Sequence, residues 1–238
     1  MIIAHSTPVN VALQRLTRTI PIVFVNVTDP IGSGLVESLA HPGRNMTGFS
    51  AYDSELAISG KWIEILKEIA PRLERVACVF NPQTAPYAQM FIRTIEATQR
   101  SSTITTAAMP VYDSAELERS ITDFASTPNG GLIVLLDSFT VSNRGSIISL
   151  AAKYRLPGMY PLKLFVTAGG LISYGADDID VFRRAASYVD LILRGRKPSD
   201  LPVQQPTKYE LAINLKTFKT LGLTVPLIIR MTADEVIE

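Results

Sequence analysis

Cysteine is almost missing from this chain. Cys78 stands alone among 238 residues, which excludes an intramolecular disulfide and any cysteine metal cluster. It lies in Arg75-Val-Ala-Cys-Val-Phe80, where alternate residues face a core, and reads as a small buried hydrophobe rather than a nucleophile. Histidine is as scarce. His5 and His41 are the only two, far apart and without His-x-x-x-His spacing, so no zinc site is expected. Charged residues make up 19% of the chain and the net charge is +1. The basic surplus or local Lys/Arg cluster that would favour nucleic acid or an anionic membrane is absent, and Arg194-Gly-Arg-Lys197 reads as a helix end followed by a turn. Long hydrophobic runs are lacking too. Ile20–Val25 and Gly131–Leu136 are strand length, far short of the roughly 18–20 residues of a membrane-spanning helix. Met1 leads directly into Ile2-Ile3-Ala4, with neither a basic n-region nor a cleavage site, so no signal peptide is read.

What is present is core material. Apolar residues reach 47%, enough for one large domain or two lobes of about 110 residues each. Short β-branched runs at Met1–Ala4, Ile22–Val25, Arg75–Phe80, Thr103–Ala108 and Gly131–Leu135 alternate with helical stretches. Strands fed by intervening helices pair in parallel, and near-continuous apolar runs imply strands covered on both faces, so the fold class is doubly wound α/β. Asp53 or Ser54 is expected to cap a helix burying Ile58, Trp62, Ile65, Leu66 and Ile69, and Ser114 to cap the next. Asp177, Asp178 and Asp180 open a later helix that ends at Gly195.

Three extended pieces interrupt this rhythm: Asn45–Ser50, Leu171–Gly175 and a long alternating stretch, Pro202–Asn214. They predict two Rossmann-like lobes with parallel sheets joined by three crossing strands. The first lobe would comprise 1–50 plus 173–204, and the second 51–172 plus 205–238, with the third crossing strand. Only two strand–helix pairs precede Asn45, and a two-stranded lobe is marginal. The expectation is that an N-terminal βαβα segment is missing and the first lobe is incomplete.

Ligands bind parallel sheets at the carboxyl ends of strands, so the loops there supply the candidate residues. His5-Ser-Thr-Pro-Val9 offers Ser6 or Thr7 as N-cap with Pro8 in the first turn. Such a helix start is equally a plain cap or an anion site. Asn26-Val-Thr-Asp-Pro-Ile-Gly-Ser-Gly34 contains Asp29 but matches neither a dinucleotide fingerprint nor a P-loop. Beyond another strand, Asn81 or Thr84 can cap a helix and Tyr87 can offer a ring to a cleft. Leu135-Leu-Asp-Ser138 places Asp137 directly after a buried strand, where it either holds a ligand's ammonium or hydroxyl group or caps the following turn. Tyr174 and Asp177 follow a suspected crossing strand. There is no Gly-x-Ser-x-Gly elbow, no placeable Ser/His/Asp set and no cysteine pair for a racemase, so no enzyme is read.

Five motifs in register resemble one family. They are Val27-Thr-Asp-Pro-Ile-Gly-Ser-Gly-Leu-Val36, His41-Pro-Gly-Arg-Asn-Met-Thr-Gly-Phe-Ser50, Gly169-Gly-Leu-Ile-Ser-Tyr-Gly175, Gly195-Arg-Lys-Pro-Ser-Asp-Leu-Pro-Val203 and Ile213-Asn-Leu-Lys-Thr-Phe-Lys-Thr-Leu-Gly-Leu223. The family is that of ABC-transporter substrate-binding proteins related to the tryptophan-binding component TrpX. The resemblance implies a type I periplasmic-binding-protein fold whose interlobe cleft closes on a small ligand, an amino acid or small carboxylate. It also implies a periplasmic location, ABC permease and ATPase subunits as partners, no cofactor, no metal, no nucleic acid and no membrane insertion. With no signal peptide read, the chain would be cytoplasmic if Met1 is the genuine start.

Carried over by position, the resemblance makes Thr7-Pro8 a carboxylate grip and Asp137 the partner of the ligand amine. Asn81 and Pro82 are kept, and Tyr87 stands where the family commonly has Ser. Ser6 and Thr7 from one lobe, and Asn81, Asp137 and Ser138 from the other, are expected to converge on one zwitterion. Asp29, Tyr87, Tyr174 and Asp177 complete the candidate set. The alternatives are a ligand-sensing regulatory domain of the same fold, or a truncated fragment without function.

Overall fold

A computed structural model describes residues 1–53, 57–98 and 104–238. Along the chain run β1 (Ile2–His5), α1 (Thr7–Leu16), β2 (Ile22–Val27), β3 (Met46–Ser50), α2 (Ile58–Ile69), β4 (Arg75–Phe80), α3 (Ala88–Thr98) and β5 (Thr105–Pro110). Next come α4 (Ser114–Ala125), β6 (Gly130–Val134), α5 (Ser138–Ser142), α6 (Arg144–Lys153), β7 (Gly158–Tyr160), α7 (Lys163–Thr167) and β8 (Ile172–Ala176). The chain closes with α8 (Asp178–Leu193), a 3-10 turn at Pro198–Asp200, β9 (Tyr209–Asn214), α9 (Leu215–Leu221), α10 (Leu227–Thr232) and β10 (Glu235–Ile237). These elements fall into two units. Unit 1 is Met1–Leu56 with Ala176–Tyr209, and unit 2 is Ala57–Gly175 with Glu210–Glu238.

In unit 1 the strands order β1-β2-β3, all parallel. Strand periodicity sorts the apolar run of β2 onto two faces. Ile22 and Phe24 join Ala4, Leu35, Val36 and Met46 in one cluster. Val23 and Val25 join Phe49 and, from α8, Val181, Ala185, Tyr188 and Ile192 in another. Burial on both faces is what a central parallel strand requires, and all six residues of β2 are buried. Two expectations change here. Residues 28–45 carry turns but no regular helix, because Asp29, Pro30, Gly32 and Gly34 favour turns over helix. The segment expected as a connector, Asn45–Ser50, supplies β3, so the sheet has three strands rather than two.

Unit 2 is built on a seven-stranded sheet in the order β10-β9-β8-β7-β6-β4-β5, and every pair with a defined register is parallel. Helix α2 buries Ile58, Trp62, Ile65, Leu66 and Ile69, the face its spacing predicts. The indole Nε1 of Trp62 donates to the Tyr174 carbonyl at 2.7 Å.

Several predicted ends move. Asp53 is not the N-cap of α2. Ala57 occupies its N-cap without a side-chain bond, Asp53 instead accepts from the Tyr209 hydroxyl at 3.1 Å, and Ser54 lies outside the described residues. Asp113, not Ser114, caps α4 by accepting from the Glu116 amide. The strand predicted from Thr103 begins outside the described residues and is found as β5. Pro202–Asn214 is not one strand. Gln204 forms an isolated bridge to Phe49, and only Tyr209–Asn214 joins the larger sheet. Pro206, which has no N–H to donate, lies in the break.

Candidate functional site

Unit 1 concentrates backbone strain at the carboxyl ends of β1 and β2. Ser6, Asn26 and Asp29 adopt φ of 74°, 52° and 50°, a left-handed conformation that costs a non-glycine residue roughly 1 kcal/mol or more. Asn26 is also where the β2–β3 register shifts, between Val25 and Val27. Such a bulge re-aims the side chain at its centre. Its Nδ2 donates to Asp178 Oδ1 at 2.7 Å and lies 3.4 Å from His5 Nε2, while its Oδ1 is buried without a hydrogen-bond partner. The exposed rings of His5 and Phe182 lie parallel, 6.1 Å between centroids.

The start of α1 is held from below rather than capped. Ser6 occupies the N-cap but makes no side-chain cap bond, and a proline sits in the first turn. Fully buried Asn10 donates to the carbonyls of Ala4 at 3.1 Å and Ser6 at 2.8 Å. Thr7 Oγ1 donates to the Thr28 carbonyl at 3.1 Å and accepts from its amide at 3.0 Å. The Thr7 hydroxyl is therefore spent tying α1 to the exit of β2, whereas the Ser6 hydroxyl makes no cap bond at the helix N-terminus. Asp29 Oδ1 accepts from the Gly32 amide at 2.8 Å and shapes the turn after β2.

Asp177 caps α8, accepting from the Asp180 amide at 3.1 Å and from Lys208 Nζ at 2.7 Å. The Lys208 ammonium holds its carboxyl below the ordinary Asp value. A depressed carboxylate stabilises the fold above its unfolded pKa, and that contribution is lost as pH falls through the folded pKa. Because Lys208 is 61% exposed, Lys208→Ala is expected to cost no more than about 1 kcal/mol at neutral pH. In melts recorded from pH 7 down to about 2, that difference should vanish once the pH is well below the ordinary Asp pKa of about 3.9. A difference that persists at the acid end would remove the pair from the account.

In unit 2 Asp137 gathers the loops after β4 and β6. It is the N-cap of α5 and forms a capping box with Thr140. Oδ1 accepts from the Thr140 amide at 2.8 Å and from Thr84 Oγ1 at 3.1 Å, and Oδ2 accepts from the Asn81 amide at 3.1 Å. Burial raises its pKa above the ordinary value and outweighs these donors. Asn81 in turn accepts from the Gln83 amide at 2.8 Å and donates to the Tyr112 carbonyl at 3.2 Å. Ser138, half-buried, begins α5. Tyr87 packs inward within unit 2. It is buried, its hydroxyl donates to the Leu136 carbonyl, and its ring packs against Phe91.

Within unit 1, then, Ser6, Thr7 and Asp29 lie at neighbouring strand exits, and Asp177 begins α8 beside the Asp178 that Asn26 contacts. Within unit 2, Asn81 donates to the Asp137 carboxylate, Ser138 follows it at the start of α5 and Tyr87 reaches the neighbouring Leu136 carbonyl, whereas Tyr174 lies on β8, two strands from β6. Sequence reasoning did not single out Asn26 and named Thr84 only as a possible helix cap, not as a partner of Asp137. Asn26 carried a signal, being the one polar residue of Ile22–Val27; Thr84 carried none beyond its place in the loop. Also unforeseen are the buried hydroxyls of Ser59 and Ser173, which lack hydrogen-bond partners. Among the described residues no group of three or more His, Cys, Asp or Glu is placed to hold a metal ion, and no helix is long and apolar enough to cross a membrane. Cys78 is buried and its thiol pKa is pushed up to about 12 by desolvation, which suits packing rather than reactivity.

Residues 1–237 match the family model described as ABC transporter substrate binding protein. A tyrosine-binding protein of Clostridioides difficile (strain R20291) is 26% identical over 236 residues, 99% of this chain and 65% of that protein. The chain thus spans just under two thirds of the curated relative's length. A conserved domain protein from Vibrio cholerae O1 biovar El Tor superposes with a TM-score of 0.88 at 28% identity, covering 99% of this chain and 78% of that one. An ABC domain from Streptococcus pneumoniae, solved in complex with L-Trp, superposes with a TM-score of 0.90 at 24% identity, covering 100% of this chain and 78% of that one. At that identity the likeness is one of fold.

Proposed function

Because this chain belongs to the ABC transporter substrate-binding protein family and has the type I periplasmic-binding-protein fold, we propose that it captures a small ligand in the periplasm, an amino acid or small carboxylate with aromatic amino acids foremost, and delivers it to an ABC permease driven by its ATPase. The family is one of solute-binding proteins rather than enzymes. Capture needs no bond-making. It needs a ligand whose contacts favour one conformation over another. The observation that carries this reading is the strained trio Ser6, Asn26 and Asp29 beside an α1 N-terminus with no side-chain cap, since strain of this kind collects at ligand sites.

In this reading the α1 start and the Ser6 hydroxyl take the ligand carboxylate. In unit 2 the groups suited to a ligand amine are Ser138 and the Asp137 carboxylate, which the Asn81 amide helps to hold in place. The named relative binds tyrosine, which supports an aromatic side chain. Titration calorimetry of the 238-residue protein tests it with L-tyrosine, L-tryptophan, tyramine and 3-(4-hydroxyphenyl)propionate. An amino acid is expected to bind, and the analogues lacking carboxylate or amine to bind at least about tenfold more weakly, as loss of one charge-assisted bond implies. Ser138→Ala should weaken the amino acid severalfold and leave the amine-free analogue unchanged. Folded protein giving no heat with any amino acid would overturn the proposal.

A further inference from the structure

Three cations far apart in sequence meet at the other end of unit 1. Arg18 follows α1, Arg44 precedes β3 and Lys197 follows α8, and with Gly43, Asn45 and Ser199 they line a concavity of about 470 Å³. Parallel topology brings them together, because each helix returns the chain to the amino ends of the strands. This is the end opposite Ser6, Asn26 and Asp29. The basic run Arg194–Lys197 therefore does more than end a helix. One of its members joins two arginines that no sequence window connects.

Helix ends explain some of the nearby charge but not this trio. Arg15 lies in the last turn of α1, and Arg194 directly follows α8 and pairs with Asp190 at 2.9 Å, as helix dipoles favour. Lys197 stands beyond the end of α8, and Arg44 precedes a strand. Neither Arg18 nor Lys197 has a carboxylate partner among the described residues, and both are exposed. Arg44 has only Glu37, at 3.8 Å, beyond hydrogen-bond range, with both side chains at least half exposed. The Glu37 carboxylate rests against Gly43, where a Cβ would lie 2.4 Å from its carbon. The basin thus holds three positive charges against two carboxylates at its edge, Glu37 beside Arg44 and Asp200, which accepts from the lining Ser199 hydroxyl at 3.2 Å, leaving a local surplus that an external anion relieves.

We propose that this concavity is a binding site for a phosphate-class anion, either a free phosphate or the phosphate of a lipid headgroup. Two guanidinium forks and an ammonium converging from three segments suit a tetrahedral oxyanion, to which arginine presents paired N–H groups and lysine a point charge. Glu37 acts as a tethered competitor for Arg44.

Inorganic phosphate is titrated into the 238-residue protein at low ionic strength and followed by amide chemical shifts. In a second arm the protein is sedimented with phosphatidylglycerol/phosphatidylcholine vesicles and with phosphatidylcholine alone. Shifts are expected at Gly43, Arg44, Asn45 and Ser199. The double variant Arg44→Gln/Lys197→Gln should weaken binding at least about tenfold, as the loss of charge-assisted bonds implies. Glu37→Gln should tighten it severalfold. Glu64→Gln, which removes an exposed carboxylate paired with Lys61 in unit 2, should change nothing, so an equal gain from it would reduce the effect to net charge and overturn the proposal. Phosphatidylglycerol-dependent sedimentation that the double variant loses assigns the headgroup as the source. Phosphate shifts at these amides without sedimentation assign the free anion. Absence of both, or binding that survives the double variant, overturns the site.

Discussion

Asp137→Ala is expected to lower the unfolding free energy by about 3 kcal/mol, read from urea denaturation at neutral pH. The substitution removes an N-cap, which costs roughly 0.5–2 kcal/mol. It also leaves the Asn81 and Thr140 amides and the Thr84 hydroxyl without the acceptor they share. Each buried donor so abandoned costs about 1–3 kcal/mol, partly offset because a desolvated carboxylate is removed as well. Asp137→Asn, keeping one carbonyl oxygen for Thr140 and Thr84 but turning an amide toward the Asn81 N–H, should lose about half as much.

The pH dependence carries its own signature. Burial sets the folded pKa of Asp137 above its unfolded 3.8, so the folded state binds this proton more tightly. Stability from this group is gained as pH falls through the window between those two values and is lost as pH rises through it, opposite in sign to Asp177. The Asn variant lacks that slope. A loss below about 1 kcal/mol for Ala, with the wild-type slope retained in Asn, would show that the carboxylate is not what holds these loops. Because the proposed function gives the ligand amine to the Asp137 carboxylate as well as to Ser138, Asp137→Asn should weaken amino-acid binding at least as much as Ser138→Ala does.

Much of this architecture was legible because apolar periodicity is a local property. The β-branched runs became β1, β2, β4, β5 and β6 within a residue or two, and Ile58, Trp62, Ile65, Leu66 and Ile69 bury together because their spacing leaves a helix no other option. Caps were read one residue off at Asp113/Ser114, since both residue types cap well and the choice is made by backbone dihedrals. Asn45–Ser50 was legible as an extended piece but not as the third strand of the unit 1 sheet, because its pairing to β2 and its burial come from distant partners, Tyr188 and Leu201 among them. The candidate site divides similarly. The positions of Ser6, Asn81, Asp137 and Ser138 at strand exits follow from the strand pattern. By contrast, the spent hydroxyl of Thr7, the buried ring of Tyr87 and the bulge at Asn26 depend on which groups the fold brings alongside. The basin of Arg18, Arg44 and Lys197 has no sequence signature at all, because its three segments come together only through the parallel topology.

Gly48→Ala is expected to be the most damaging single substitution in unit 1, costing about 3–5 kcal/mol, a large share of the 5–15 kcal/mol typical of a domain. Gly48 pairs with Phe24 in the β2–β3 register and has φ 155°. A Cβ there would stand 2.0 Å from the Phe24 carbonyl oxygen and 2.7 Å from its nitrogen. Both obstacles are backbone, so no rotamer relieves them. β2 cannot retreat, because its two faces are filled by separate apolar clusters, and interiors packed to this density do not yield an ångström. The pairing must break instead. Gly34→Ala provides the contrast, with φ 69° and nothing within 4 Å of the added atom; only the backbone cost remains, about 1 kcal/mol. Amide hydrogen exchange reads the outcome, with protection across β2 and β3 lost in Gly48→Ala and kept in Gly34→Ala. Full protection in both would mean that the strand contact yields easily. Because the register shift at Asn26 lies in this same ladder, Gly48→Ala should also scatter Ser6, Asn26 and Asp29. Amino-acid affinity should then fall in step with the lost protection.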